Sequence, residues 1–98
     1  MNIKISSHGH YIPKKIETAE EVSKKINKSP DWIISRTGVK NRRISNIDVD
    51  KMGALAAKDA LKNTSNPDLI INASGVPKQT NPDTSVFIQK ELGLSGVP

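Results

Sequence analysis

The residues best suited to chemistry lie in one stretch, Ser29 to Arg43, which reads SPDWIISRTGVKNRR. Trp32 and Arg36 are four positions apart, so on a helix they project from one face about one turn from each other. An indole is a flat plate on which a purine can stack, and a guanidinium is a planar fork that can hold a phosphate through two hydrogen bonds. The pair therefore suits a nucleotide with a charged tail. Spacing alone allows a second reading, a tryptophan packed on the core with Arg36 lying across it, because cation–π pairs recur about once per 70 to 80 residues.

Other chemistries lack their groups. There is no cysteine, which excludes disulfides, thiolate metal sites and a catalytic thiol from these 98 residues. No serine carries an obvious activating histidine and acid. His8 and His10 would share a face on a strand, but no cysteine or acidic neighbour joins them to complete a metal site.

Charge is concentrated around the same stretch. From Tyr11 to Arg43 there are nine basic residues against four acids, so the whole net charge of +5 resides there. Such a segment attracts phosphates, acidic proteins or nucleic acid, or serves as an ordinary solvated lysine surface. A small basic nucleic-acid-binding module using Lys40, Arg42 and Arg43 is the rival from another functional class. It needs several base-stacking aromatics, and only Trp32 lies among those charges.

The elements that must position these residues can be read from caps and periodicity. Ile3 and Ile5 alternate with polar neighbours, predicting a half-buried strand over residues 2 to 7, ended by Gly9 and Pro13. Thr18 and Glu21 form a capping-box pattern before a short amphipathic helix over residues 19 to 27. Ser29-Pro30-Asp31 predicts the start of the next helix, and Gly38 suits its left-handed stop. Residues 39 to 45 predict a short strand carrying Arg42 and Arg43. Asp48 or Asp50 can cap a third helix, with Val49, Met52, Ala56 and Ala60 on one stripe and Gly53, Ala57 and Leu61 on the next. Leu69-Ile70-Ile71 reads as a buried strand. Asn81-Pro82-Asp83 repeats the cap-proline-acid start for a helix carrying Val86, Ile88 and Leu92 and closed by Gly93. The order points to an α/β unit.

With 35% hydrophobic and 26% charged residues, and a mean hydropathy of −0.48, core material is lean for the length. That fits a chain whose apolar partners lie on a segment outside it. No apolar run approaches the roughly 20 residues of a membrane span, so a cytoplasmic location is the expectation.

Gly9-x-Tyr11-x-Pro13, followed by Asp31-Trp32-Ile33-x-x-Arg36-Thr37-Gly38-Val39-x-x-Arg42-Arg43-Ile44, resembles the opening signature of the β-ketoacyl-acyl-carrier-protein synthase III family. Leu55-Ala56-Ala57, Asp68-Leu69-Ile70-Ile71, Pro82 and Gln89-x-x-Leu92-Gly93 extend the match across nearly the whole chain. The resemblance implies an α/β fold, part of the N-terminal half of a thiolase-like layered architecture. Residues 1–98 would form a partial N-terminal domain that stops before the catalytic cysteine region. In the family the counterparts of Trp32 and Arg36 bind coenzyme A, the indole stacking on adenine and the guanidinium meeting a phosphate. The implied reaction moves an acyl group from acyl-CoA onto a cysteine and joins it to malonyl-acyl-carrier protein with loss of carbon dioxide. A coenzyme A thioester would be a substrate and not a permanently bound cofactor. The implied partners are acyl-CoA, acyl carrier protein and a second copy of the full-length enzyme, with neither nucleic acid nor membrane. A related condensing enzyme or a non-catalytic remnant is the alternative within the class. The sequence departs from the pattern at Lys28, where the family can place a small hydroxyl residue near the adenine, and at His8 and His10, which replace small residues. The segment around Asn63 to Pro67 is short.

Overall fold

In the computed structural model, which describes residues 1–98, the basic segment lies in one of two compact units, Ile12–Asn46. Met1–Tyr11 joins Ile47–Pro98 in a second unit.

Within the first unit, β1 (Lys15–Thr18) pairs antiparallel with β2 (Asn41–Ile44), setting Glu17 opposite Arg42 and Thr18 opposite Asn41. Thr18 then caps α1 (Ala19–Ile26): its hydroxyl accepts from the Glu21 N–H at 3.2 Å, and Glu21 Oε2 accepts from the Thr18 N–H at 3.3 Å. This reciprocal capping box satisfies donors that the first helical turn leaves free. Asn27, at φ 54°, closes the helix in the left-handed region. In α2 (Pro30–Thr37) the Ser29 hydroxyl accepts from the Trp32 N–H at 3.1 Å, and Pro30 opens the helix where its missing N–H costs nothing. Gly38, at φ 71°, ends it. The Ala19 N–H donates to the Lys40 carbonyl at 2.8 Å, tying the start of α1 to the approach to β2. The caps and the second strand stand where the residue pattern puts them, whereas β1 is an addition to that pattern, in which Pro13 marks the end of a strand and nothing marks the start of another.

In the second unit, α3 (Val49–Leu61) packs on α4 (Thr84–Glu91). Small residues let other backbone and side chains close on α3. A Cβ built on Gly53 would stand 2.8 Å from Ile88 Cδ1. One built on Gly9 would stand 2.3 Å from the Ala60 nitrogen and 2.5 Å from the Ala56 oxygen, so only glycine fits against that helix. The row along α3 that is most buried is Asp50 and Ala54, not the expected stripe from Val49 to Ala60. Asp50 is drawn inward by Lys78, whose Nζ lies 2.8 Å from Asp50 Oδ2 and 3.8 Å from Asp48 Oδ2. Asp50 Oδ1 is buried without a hydrogen-bond partner.

Three expectations are corrected here. Neither residues 2 to 7 nor Leu69-Ile70-Ile71 form a strand. A strand needs a neighbouring strand for its N–H and C=O groups, and neither segment has one. Ile70 donates a single bond, 2.8 Å, to the Pro98 carbonyl. The alternating apolar side chains consequently stay exposed: Ile3 83%, Ile5 88%, Leu69 58% and Ile71 81%. Third, the cap of α4 is Asp83, which accepts from the Ser85 N–H at 2.8 Å, so Pro82 precedes the cap instead of following it. Gly93 does take a left-handed conformation just after the helix.

Two outcomes test this packing. Gly9→Ala forces a methyl group into α3 backbone and is expected to destabilise the second unit by about 1–3 kcal/mol in urea unfolding. Lys78 holds the Asp50 carboxyl below its ordinary value, chiefly through their hydrogen bond and against the opposing effect of burial. A depressed pKa stabilises the fold above the unfolded value, about 4, and that contribution is lost as pH falls through the folded value. Lys78→Met should therefore lower the thermal midpoint at pH 7, and the deficit relative to wild type should shrink below about pH 4.

Candidate functional site

The site grows from the caps of α1 and α2. Asn27 turns the chain sharply, the Lys28 N–H donates to the Ser23 carbonyl at 3.2 Å, and Ser29 starts α2 at once. Trp32 and Arg36 then fall on one face of α2, with the Arg36 guanidinium carbon 5.5 Å from the centroid of the indole. Trp32 is 40% exposed and Arg36 is exposed, while Ile33, on the other side of the helix, is buried. Lys28 also reaches the ring, its Nζ 5.2 Å from the centroid. Helical spacing thus brings two of the three groups together, and the third arrives through the turn at Asn27. Beside them lies a mostly apolar recess of about 240 Å³, walled by Val22, Ile26, Trp32, Ile33 and Val39 with Glu17 and Arg42 among its lining residues.

One carboxylate organises the surrounding charge. Glu17 is 4% exposed. Lys25 from α1 bonds its Oε1, and Arg42 from β2 donates to its Oε2, through Nε at 2.8 Å and Nη2 at 2.7 Å. These hydrogen bonds, Lys25 first, hold the Glu17 carboxyl below the usual carboxylate range. Arg43 donates to the Pro13 carbonyl at 3.1 Å. Two of the three cations that a nucleic-acid surface would use, Arg42 and Arg43, are therefore engaged within the unit. Tyr11, His8 and His10 lie outside it, and the His10 N–H donates to Asp59 Oδ2 at 3.2 Å.

The arrangement can stack a flat ring on Trp32 and bind an anion beside it. It offers no nucleophile and no acid–base pair.

No family model matches the chain. It is 38% identical over 97 residues to the β-ketoacyl-[acyl-carrier-protein] synthase III of Clostridium acetobutylicum, across 94% of this chain and 30% of that protein. To the protein of the same name from Aquifex aeolicus it is 37% identical over 102 residues, across 99% of this chain and 33% of that one. Among solved structures, 3-oxoacyl-[acyl-carrier-protein] synthase III from Aquifex aeolicus aligns with a TM-score of 0.82 at 38% identity, covering 93% of this chain and 31% of that chain. The corresponding enzyme of Pseudomonas aeruginosa aligns with a TM-score of 0.83 at 26% identity, covering 93% and 29%. This chain spans about a third of the length of the curated relatives it matches. The neighbours are thiolase-like, so the expected α/β class holds even though the strands drawn from residues 2 to 7 and 69 to 71 are absent.

Glu17→Gln removes the charge that Lys25 and Arg42 share. The variant should unfold at lower urea concentration at pH 7, read by the fluorescence of the single tryptophan. Because the folded-state pKa is depressed, the difference from wild type should narrow as pH falls below the glutamate range, about 4.

Proposed function

Because this chain belongs to the β-ketoacyl-acyl-carrier-protein synthase III family, we propose that it is the coenzyme A-binding N-terminal portion of a 3-oxoacyl-acyl-carrier-protein synthase III. The observation that carries this reading is the exposed face of α2, on which an indole and a guanidinium stand 5.5 Å apart. Adenine stacks on Trp32 and Arg36 binds a phosphate of the same ligand. Binding the nucleotide end supplies remote binding energy that orients the thioester end for chemistry elsewhere.

The reaction proposed for the whole enzyme transfers the acyl group of acyl-CoA to a cysteine thiolate, expelling coenzyme A. The acyl-enzyme is then attacked by the carbanion formed when malonyl-acyl-carrier protein loses carbon dioxide. These 98 residues contain no cysteine, so the acyl-accepting thiol has to come from outside them, and the chain alone binds without condensing. Acyl carrier protein and a second copy of the full-length enzyme are the proposed partners, and the cytoplasm is the proposed compartment. No helix of the chain is long and apolar enough to cross a membrane.

Calorimetric titration with coenzyme A tests the reading. Trp32→Ala should weaken binding by about 1–3 kcal/mol, the usual scale for losing a stacked base. Arg36→Lys keeps the charge but loses the planar fork, so it should also bind less tightly. Unchanged affinity in a folded Trp32→Ala variant would remove stacking from the account.

A further inference from the structure

The core of the first unit is open on one side. Its two buried hydrophobic residues, Ala19 and Ile33, both line the recess beside α1 and α2, and Val22, Ile26, Trp32 and Val39 complete the wall. Ile26 is 48% exposed and Val39 43%, so apolar surface converges on one hollow and is left uncovered there. The hollow measures about 240 Å³. An apolar cavity of about 150 Å³ already admits a benzene ring, so one large apolar side chain fits. Its entry would take both surfaces out of water.

Charge at the rim narrows what can bring that side chain. Lys40 and Arg42 line the recess and are exposed, and Lys25 joins Arg42 on the Glu17 carboxylate. Glu17 is the one acid of the lining, and it is buried against its two cations. Three cations against one sealed carboxylate leave the rim positive. A second copy of this chain is repelled, because it presents the same basic segment. Single-stranded nucleic acid suits the charge but not the walls: bases stack on aromatic rings, and every wall residue except Trp32 is aliphatic. An acidic helix with one large apolar residue satisfies both, the apolar side chain entering the hollow and carboxylates one turn to either side meeting the rim. We propose that this recess docks an acidic helical segment of a partner protein, anchored by a single large apolar side chain. The docking surface is independent of the nucleotide reading, in which Ile26, Val39 and Lys40 take no part. Association there also supplies what a unit with two buried hydrophobic residues lacks.

The test pans a displayed library of helical peptides of random sequence against the 98-residue chain, then titrates the recovered peptides while Trp32, the single tryptophan, reports by fluorescence. Recovered peptides should carry one large apolar residue with Asp or Glu one turn away on each side. Replacing that apolar residue by alanine should weaken binding at least about 10-fold, the scale of losing a large buried side chain. Raising salt from about 0.05 to 0.5 M should weaken it further by screening the rim. Ile26→Glu sets a carboxylate in the wall, so it should abolish peptide binding and leave the affinity for coenzyme A unchanged. Val39→Glu takes its place if circular dichroism shows that Ile26→Glu is unfolded. Recovery of no peptide, of basic peptides, or of peptides that bind the folded variant as well as wild type overturns the proposal. So does a single-stranded oligonucleotide whose binding is lost in Ile26→Glu, which assigns the recess to nucleic acid. Peptide binding of the expected kind in a chain that ignores coenzyme A removes the nucleotide reading and leaves the docking site standing.

Discussion

Glu17 holds a carboxylate almost out of solvent, and each of its two oxygens requires a donor. The donors come from different elements, Lys25 from α1 and Arg42 from the strand directly opposite. A buried carboxylate deprived of its cations is costly, so this triad restricts where α1 can lie against the β1–β2 pair. Its directional hydrogen bonds specify an arrangement more than they add stability. Once α1 is placed, Asn27 and Ser29 leave little freedom in the start of α2. The Ala19–Lys40 backbone bond closes the circuit by fixing where the chain returns after Gly38. The face of α2 bearing Trp32 and Arg36 is oriented by this closed chain of constraints.

What could be read from the residues divides along the range of the interactions. Helix caps are local: Thr18 with Glu21, and Ser29 with Pro30 and Gly38, each complete their bonds within four residues or at the next turn, and each occurs where the pattern puts it. Strands are not local. Ile3, Ile5, Leu69 and Ile71 carry an alternating or continuous apolar pattern, yet pattern alone cannot supply the neighbouring strand that turns an extended segment into a sheet. The opposite error occurred at Lys15–Thr18, whose Lys-Ile-Glu-Thr composition is a weak strand signal. It becomes a strand because Asn41–Ile44 returns beside it and because Glu17 finds Arg42 there.

The same division runs through the site. Trp32 and Arg36 are one helical turn apart, and that geometry follows from spacing once the helix is granted. Lys28 precedes the helix, and its approach to the indole depends on the left-handed Asn27 and the bond to Ser23. Nor does a list of basic residues say which are spoken for. Arg42 and Lys25 look as available as Arg36 until β1 is known, because only then does Glu17 lie between them.

This partition of charge bears on how a small unit can both hold together and bind. Its buried hydrophobic residues are Ala19 and Ile33, a core far too small to support independent folding by itself, and units below about 40 residues usually need help from metals, disulfides or association. Ile12–Asn46 has neither cysteine nor a cluster of metal ligands. Its internal order comes from caps and from the Glu17 triad, which consume Lys25 and Arg42. A ligand that stacks on Trp32 and neutralises the remaining cations would add stability to the folded form by mass action. The cations that shape the unit, Lys25 and Arg42, and those that face solvent, Lys28 and Arg36, are thus drawn from one basic segment and separated by a single acid.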